Sequence, residues 1–418
     1  MHDRITTTRQ AGWPQGLVLL FSSAFPVMGV VLLSAIAPRL PAAVGTGPGG
    51  IELAPIVMTA PALAIAICSP FAGFLLDLAG RRICFLGALF VYAALGTAPL
   101  WLENPYLIIA ARFGLGIAEA MILTANLALI GDYFSGSTRD RWIAINMAVA
   151  AFSATLFYIL GGLLGSISWR APFASYGASI VLFIAAVPLI FEPAASADAR
   201  KPAATAPEEN YNSLISTPII GLATIFALTF AGSILFYIVP LQLGWFLEAR
   251  GVKSAATIGL LIAIAGLGNP LGSFSFRFLR AFPLGPVFCA SMFLSGLGLL
   301  VAAAWHSVPS LIAGAFINQL GCGMLCPLTQ SAILRLAPPH RRGASGGGWA
   351  TSFFSGQFFS PLVVLPVMAM DHASGGLVPL GIGYLIYAAA CLVLFPRAAS
   401  LSGARAADAI AQRHEAIA

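Results

Sequence analysis

The chain of 418 residues is 59% hydrophobic and only 9% charged, with a mean hydropathy of +0.91. A water-soluble domain carries about 25% charged residues, so this composition excludes a soluble protein and indicates an integral membrane protein. Apolar segments of about 20 residues recur along the chain, and each is long enough to cross the bilayer as a helix. The sequence lacks the alternating segments of about 10 residues that a membrane β-barrel requires. We therefore predict an all-α membrane protein.

In chain order, the apolar segments predict twelve transmembrane helices in two halves. Residues 1–16 carry basic charge without a cleavable apolar segment, which predicts a cytoplasmic tail. Residues 192–213 are rich in proline, alanine and charge, and we predict a cytoplasmic linker there. The linker separates a six-helix bundle at 17–191 from a second bundle at 214–396, and a second cytoplasmic tail follows at 397–418. The predicted helices cover residues 17–40, 51–77, 83–102, 105–131, 143–166, 172–191, 214–247, 255–278, 283–304, 308–334, 344–370 and 376–396.

The distribution of basic residues predicts the orientation. Of the 21 lysine and arginine residues, 16 fall in the two tails, the linker and the loops on the same side of the membrane. Because basic residues concentrate on the cytoplasmic side, we expect both termini to be cytoplasmic. Topology and contact with anionic lipids also account for the net charge of +6, so no nucleic-acid partner is predicted. The excess of arginine over lysine and the abundance of alanine are typical of a GC-rich genome and favour the bacterial inner membrane.

The two halves resemble each other when the sequence is shifted along itself. A shift of 199 residues aligns 73–82 with 272–281, and a shift of 207 residues aligns 112–121 with 319–328. Glycines coincide in both alignments, and an arginine coincides in the first. With the equal number of helices in each half, these matches predict two parallel pseudo-symmetric six-helix bundles. In such carriers the substrate site lies near the membrane midplane between the repeats.

The inner end of the second helix carries a motif, "GFLLDLAGRR" at residues 73–82. It resembles the loop signature of the major facilitator superfamily, G-x-x-x-D-(R/K)-x-G-R-(R/K), and departs from it at Leu78, where the family usually has a basic residue. Arg112 with Gly116 is similar to the arginine pattern of the family's fourth helix, and the number of helices extends the resemblance over the whole chain. The residues that match the loop signature are Gly73, Asp77, Gly80, Arg81 and Arg82.

The resemblance implies a secondary transporter that works by alternating access. It also implies that the loop cluster is a conformational latch that holds the two halves together in one state. The alternative is a short basic inner loop required only by topology. Phe276 takes the place of Asp77 in the second half, so we expect a latch in the first half and no counterpart in the second. Proton antiporters of the family commonly have a Gly-Pro pair in helix five where this chain has Phe157 and Tyr158.

The fourth predicted helix carries two charges inside the membrane, Arg112 and Glu119. Seven residues make almost two helical turns, so both side chains and Asn126 project from one stripe, which must face protein or water. The rise of about 10.5 Å between Arg112 and Glu119 is long for a direct ion pair. We therefore expect each of them to find partners on other helices or through water.

Glu119 is the only acidic residue predicted deep in the membrane. Burial favours the neutral form of a carboxyl group and a nearby cation favours the charged form, so alternating access is able to switch its protonation. Glu119 is therefore the leading candidate for a proton carrier, with Arg112 beside it. Two other roles remain open: direct contact with a cationic solute, and a permanent structural charge that holds Arg112.

The first and fourth helices of each half are those expected from the resemblance to line the central path. Their predicted cavity walls are apolar with scattered amides, which suits a small amphipathic organic solute better than a sugar. Aromatic side chains at helical spacing also suit packing or lipid contact, so both interpretations stay open. The predicted cavity residues are Phe21, Phe25, Met28, Asn126, Phe226, Phe230, Ser233, Tyr237, Asn318, Gln319 and Gln330.

Three classes of function are compatible with a chain of this kind. A membrane-embedded enzyme requires a nucleophile or metal constellation, and the sequence presents neither; Cys322 and Cys326 are interpreted as packing residues. A transporter-like sensor without transport usually has a larger soluble segment. We predict a monomeric secondary transporter, with proton-coupled export favoured over uptake. Its predicted partners are a small-molecule solute, protons and membrane lipids, and no cofactor or metal is predicted.

Overall fold

The computed structural model describes residues 11–48, 52–193, 216–279, 282–337, 342–371 and 374–394. Within these ranges the regular secondary structure is helical apart from one isolated bridge, and twelve helices are long and apolar enough to cross a membrane. The predicted all-α fold with twelve transmembrane helices is thereby confirmed. The predicted C-terminal tail and most of the predicted linker lie outside the described residues. We number the spans α1 to α12: Trp13–Val44, Leu53–Ala79, Arg81–Leu100, Pro105–Tyr133, Gly136–Ile167, Ala171–Leu189, Gly221–Ala249, Ala255–Leu279, Leu284–Ala304, Val308–Ile333, Ala344–Met370 and Leu377–Leu394.

The start of α5 differs clearly from its predicted boundary. The helix begins at Gly136, seven residues before the predicted start at residue 143. Hydropathy detects only the apolar part of a helix, whereas the charged first turns here are helical outside the hydrocarbon. Similarly, α3 begins at Arg81, because its first backbone amides are bonded to a carboxylate that a hydropathy window does not register.

Four spans are interrupted within the membrane, and the sequence analysis did not predict these breaks. Proline lacks an amide proton and clashes with the carbonyl four residues earlier, so it weakens the helix just before itself. A proline follows each break within five residues. The breaks follow Ser22 in α1, Phe236 in α7, Gly266 in α8 and Cys322 in α10, and the prolines are Pro26, Pro240, Pro270 and Pro327.

The two halves, α1 to α6 and α7 to α12, touch at an outer seam, where α1 and α5 pack against α7 and α8, and at a second seam of α2 against α11. We call the face with the basic loops inner and the opposite face outer. On the outer side α5 packs against α8, and a Cβ on Gly162 would stand only 3.0 Å from the Cα of Gly259. Near the middle, α11 packs against α2, and the Thr351 hydroxyl donates a hydrogen bond of 2.8 Å to the Ala66 carbonyl. Pro70 is four residues after Ala66, so this carbonyl lacks its helical partner and is free to accept.

Arg39 ties the halves together at the outer face. Its guanidinium donates to the Gly165 carbonyl of α5 at 2.8 Å and to the Lys253 carbonyl before α8 at 3.1 Å. Arg170 and Arg250 lie on the same side, and their described hydrogen bonds to carbonyls remain within their own halves. Arg39 therefore closes the outer seam in this form of the protein.

Towards the inner face, large apolar side chains of the same helices are uncovered. Phe152 of α5 is 60% exposed and Phe274 of α8 is 58% exposed. Thus α5 and α8 touch backbone to backbone on the outer side, and the exposed aromatic side chains lie nearer the middle of α5 and the inner end of α8. The outer parts of α1 and α7 also pack together, whereas α4 and α10 make no extensive contact in the described part of the chain, which corresponds to a form that is closed outside and open inside.

We expect Arg39→Gln to loosen the outer seam. One charge-assisted hydrogen bond contributes about 1.5 kcal/mol or more, which corresponds to roughly a tenfold change in the ratio of closed to open forms. The reporter is Ala255→Cys in a background without native cysteines, because Ala255 is fully buried at this seam. Labelling by a membrane-impermeant maleimide should accelerate in Arg39→Gln and not in the control Arg250→Gln. Equal labelling of both variants would show that Arg39 does not hold the seam.

Candidate functional site

The charged stripe of α4 is buried against α1. Arg112 and Glu119 are 0% exposed, and Asn126 is 3% exposed. The prediction that this stripe faces protein or water, and not lipid, is confirmed. The three residues lie along the length of α1, which passes beside them in broken segments.

Arg112 bonds to three other helices. Its Nε donates to the Val57 carbonyl of α2 at 3.1 Å, Nη1 to the Tyr176 hydroxyl of α6 at 2.8 Å, and Nη2 to the Gly29 carbonyl of α1 at 2.7 Å. The Val57 carbonyl is free to accept because Pro61, four residues later, has no amide proton. The fork of the guanidinium thus joins α4 to α1, α2 and α6.

In contrast to Arg112, Glu119 makes no hydrogen bonds through its side chain: neither of its carboxylate oxygens has a partner in the described part of the chain. No ion pair joins it to Arg112 among the described residues, as the spacing of seven predicted. Its carboxyl group lies against the backbone of Gly29, where a Cβ would stand 2.8 Å from Glu119 Cδ and closer still to Oε1. Gly29 therefore touches both charged residues of α4.

Tyrosines surround this carboxyl group at longer range. Tyr92 of α3, Tyr176 of α6 and Tyr237 of α7 interact with it electrostatically. Tyr92 donates its own hydroxyl to the Phe25 carbonyl of α1 at 2.6 Å. Tyr237 belongs to the C-terminal half, so groups of both halves contribute to the electrostatic environment of Glu119.

Asn126 is used for helix packing. Its amide donates to the Leu19 carbonyl and to the Ser22 hydroxyl, the latter at 2.7 Å, and its carbonyl accepts from Asn146 of α5 at 3.1 Å. Hydrogen bonds of this kind between membrane helices contribute on average about 0.6 kcal/mol each. Contact of Asn126 with a solute stays a prediction, and such contact would compete with these bonds.

The C-terminal half repeats part of the arrangement without its charges. The shift of 207 residues that aligns the two halves places Arg112 on Gln319 and Gly29 on Phe236. Gln319 donates to the Phe236 carbonyl at 3.5 Å, as Arg112 does to Gly29. Pro240 frees the Phe236 carbonyl, as Pro61 frees the carbonyl of Val57. The same shift places Cys326 where the first half has Glu119, so the second half has no counterpart of the carboxyl group.

The other polar groups predicted for the cavity are committed to packing contacts in this form. Asn318 donates to the Ser295 carbonyl at 3.0 Å and accepts from Gln319 at 3.2 Å. Ser233 is fully buried and donates to the Phe353 carbonyl of α11. Gln330 is half-buried.

The predicted aromatic residues divide into buried and exposed ones. Phe25 and Met28 are buried, and the Phe25 ring packs 5.3 Å from Tyr92. Tyr237 is also buried, whereas Phe226 and Phe230 are half-buried against α11. Phe21 is 59% exposed on the face of α1 opposite Leu19 and packs into no buried cluster. Contact of these residues with a solute stays a prediction.

Sequence analysis missed the aromatic side chains of α11 that complete this wall. Trp349 stacks on Phe353 with ring centroids 5.1 Å apart, and Phe353 lies 5.5 Å from Tyr237. The spacing of four between Trp349 and Phe353 indicates a common helix face. The five glycines among residues 343–356 dilute this signal, because small residues are typical of close helix packing.

The loop motif folds as a cap on α3. Gly80 has a φ of 90°, a left-handed conformation that favours glycine, and it turns the chain sharply between α2 and α3. The carboxylate of Glu192 accepts from the amides of Arg81 and Arg82, both at 2.8 Å, at the positive end of α3. The carboxylate at this position thus comes from Glu192 and not from Asp77 of the motif.

The arginines of the motif bond within the N-terminal half. Arg81 forms an ion pair with Asp132 at the end of α4, and Arg82 donates to the Ile190 carbonyl at 2.7 Å. Asp77 is exposed and lies 4.0 Å from Arg81. A Cβ on Gly73 would meet nothing within 4 Å, so no close packing requires a glycine there. The latch between the halves stays a prediction, because the described contacts of the motif are all local.

Comparisons with known proteins agree with this architecture. A family model described as the Major Facilitator Superfamily matches residues 19–361. The chain is 27% identical over 358 residues to the tetracycline resistance protein, class C, of Escherichia coli, which covers 79% of this chain and 82% of that protein. It is 33% identical over 128 residues to the bacillibactin exporter of Bacillus subtilis, which covers 28% of this chain and 31% of that protein.

Solved structures share the fold at low identity. A D-xylose-proton symporter superposes with a TM-score of 0.76 at 15% identity, covering 92% of this chain and 98% of that one. A bacterial homologue of the human lysosomal transporter Spinster, in an inward-facing and occupied conformation, superposes with a TM-score of 0.66 at 15% identity, covering 92% and 94%. Because the family model spans most of the sequence, the resemblance first seen in the loop motif is confirmed, and the chain belongs to the Major Facilitator Superfamily.

Proposed function

We propose that this transporter exports a small amphipathic organic solute across the bacterial inner membrane in exchange for protons. Members of the family carry small-molecule solutes. Export is supported by the printed functions of similar proteins, which include tetracycline resistance, multidrug efflux and bacillibactin export. Family and relatives point to a transporter and not to an enzyme. The cytoplasmic location of both termini rests on the distribution of basic residues.

The buried and unpartnered carboxyl group of Glu119 is the observation that carries the proposal. A charged carboxylate without hydrogen bonds is expensive to bury, so the inward-open form described here is best suited to the protonated acid. A second form that brings water or a hydrogen-bond donor to Glu119 would stabilise the charged acid. For export in exchange for protons, solute binding to the inward-open form would displace the proton into the cytoplasm, and Glu119 would take up the next proton from outside after the solute has left, once in each transport cycle.

The surroundings of Glu119 support an amphipathic solute. Phe25, Tyr237 and Phe353 offer aromatic surface near the boundary between the halves, with the amide of Gln319 as a polar group beside it. Apolar walls with a few convergent polar groups are typical of sites for drug-sized ligands. The solute is proposed to bind between the halves while the inner side is open.

Transport into membrane vesicles tests the proposal. Tetracycline and a fluorescent amphipathic dye are the probes, and an imposed proton gradient is the driving force. An exporter accumulates a probe in everted vesicles, whereas an importer accumulates it in right-side-out vesicles. Everted accumulation that collapses with an uncoupler is the expected result. Accumulation only in right-side-out vesicles would establish uptake instead, and no flux across a broad solute panel would favour a sensor.

We also propose that Asp77 acts as a latch in the outward-open form. In the inward-open form its carboxylate is exposed and has only a loose ion pair with Arg81, so its removal costs little here. Asp77→Asn should therefore shift the population towards the inward-open form and impair transport without affecting insertion. Accessibility of cysteines introduced at the inner ends of α4 and α10 reports the shift. Unchanged labelling together with full transport would contradict the latch.

A further inference from the structure

Gly29 of α1 meets both charged side chains of α4. Its carbonyl accepts from Arg112 at 2.7 Å, and its Cα faces the carboxyl group of Glu119. Any side chain at this position would overlap the carboxyl group, since even a Cβ would stand 2.8 Å from Glu119 Cδ. The breaks in α1 on either side of Gly29, after Ser22 and after Val31, leave it in a short helical segment.

We propose that Gly29 is a positioning residue for proton coupling, in which its missing side chain gives the Glu119 carboxyl group its place and its carbonyl keeps the Arg112 guanidinium bound elsewhere. The inference rests on the proposed function, because it assumes that Glu119 carries the proton. A guanidinium that was free to approach Glu119 would hold the carboxylate charged. Gly29 contacts both groups, which lie almost two helical turns apart on the same stripe of α4, and it fixes where each of them is held.

The charged and titratable groups that face Glu119 come from four helices. They are Arg112 on α4 itself, Tyr92 on α3, Tyr176 on α6 and Tyr237 on α7. Arg112 is the only cation among them. If the carboxyl group of Glu119 is displaced from Gly29, its distance from Arg112 changes, and the other groups nearby are neutral hydroxyls. A change in the pH response therefore reports specifically on the distance between Glu119 and Arg112.

The test is the pH dependence of the conformational equilibrium, which requires no solute. Spin labels are attached at Glu103→Cys and Ala304→Cys, which are exposed on the outer side of opposite halves. Pulsed electron paramagnetic resonance then measures the distance between the two labels, which reports whether the outer side is closed or open. In Gly29→Ala the added methyl group displaces the carboxyl group, and Arg112 is the cation within reach. We expect the pH midpoint to move by about one unit towards acid. Shortening the acid with Glu119→Asp restores the space, so the double variant should return towards the wild-type midpoint.

A matched control separates this effect from simple crowding of α1. A Cβ on Gly161 of α5 would stand 3.0 Å from the carbonyl carbon of Leu32, so Gly161→Ala crowds α1 without touching Glu119. Gly161→Ala should leave the pH midpoint unchanged. An equal shift in Gly161→Ala, or no shift in Gly29→Ala, would overturn the proposal.

Two further outcomes keep the test decisive. If Gly29→Ala alone fails to insert, the proposal requires the double variant with Glu119→Asp to restore both the yield and the pH response, and continued misfolding would overturn it.

Glu119→Gln separates the proposed function from the proposed role of Gly29. A pH response that survives in Glu119→Gln refutes the proposed function itself. A response lost in Glu119→Gln but unaltered in Gly29→Ala refutes only the role of Gly29.

Discussion

Glu119→Gln should abolish transport that is driven by a proton gradient while leaving the fold intact. The amide has nearly the same shape as the carboxyl group but cannot titrate, so the conformational cycle loses its proton. Exchange of labelled for unlabelled solute across the membrane needs no net proton movement and should survive. The measurement is uptake into proteoliposomes with and without an imposed pH gradient, for the wild type and for Glu119→Gln across pH 5 to 8.

The control for this experiment is Glu103→Gln. Glu103 is exposed in the outer loop before α4, so its loss removes a carboxylate without affecting the site. Glu103→Gln should behave as the wild type. If solute binding disappears in Glu119→Gln for cationic solutes and survives for neutral ones, Glu119 contacts the solute directly. Wild-type coupled flux in Glu119→Gln would leave only a structural role.

Arg112→Lys should both destabilise the N-terminal half and impair transport. The guanidinium satisfies three buried acceptors on α1, α2 and α6 in one planar fork, which a single ammonium group cannot reproduce. If two acceptors are left without a donor, the cost is about 1–3 kcal/mol for each. Thermal unfolding of the purified protein should therefore begin at a clearly lower temperature. The release of Gly29 and Glu119 should reduce coupled transport as well.

Arg170→Lys is the matched control for the arginine substitution. Arg170 donates to one described carbonyl, that of Leu100, near the outer surface of the same half. Its replacement should change the unfolding temperature little. If Arg112→Lys proved as stable as Arg170→Lys, the three hydrogen bonds would contribute much less than their geometry indicates.

The sequence was sufficient to predict the helix count and the buried stripe of α4, for simple physical reasons. Hydrophobic length determines whether a segment crosses the membrane, and a spacing of seven places Arg112 and Glu119 on one face. Neither inference depends on what packs against the helix. The separation of the two charges also followed from helix geometry alone, and the structure bears it out.

The partners of these residues could not be predicted, because they depend on which helices are neighbours. Gly29 resembles any other small residue in the sequence, and only its approach to α4 gives it a role. Glu192 follows the last helix of its half, and nothing in its local sequence connects it with the start of α3, more than 100 residues earlier. Carbonyls freed by Pro61, Pro70 and Pro240 are foreseeable as acceptors, whereas the donors that use them are not.

The most direct test of the account is whether solute flux moves protons through Glu119. Proteoliposomes with an entrapped pH dye are given a gradient of the solute identified by the vesicle assay, with no imposed pH difference. Wild-type protein should change the pH of the lumen in the direction opposite to solute movement, and Glu119→Gln should exchange solute without changing the pH. Solute flux through the wild type without any change of pH would contradict proton coupling, and an unaltered pH change in Glu119→Gln would contradict the role of Glu119.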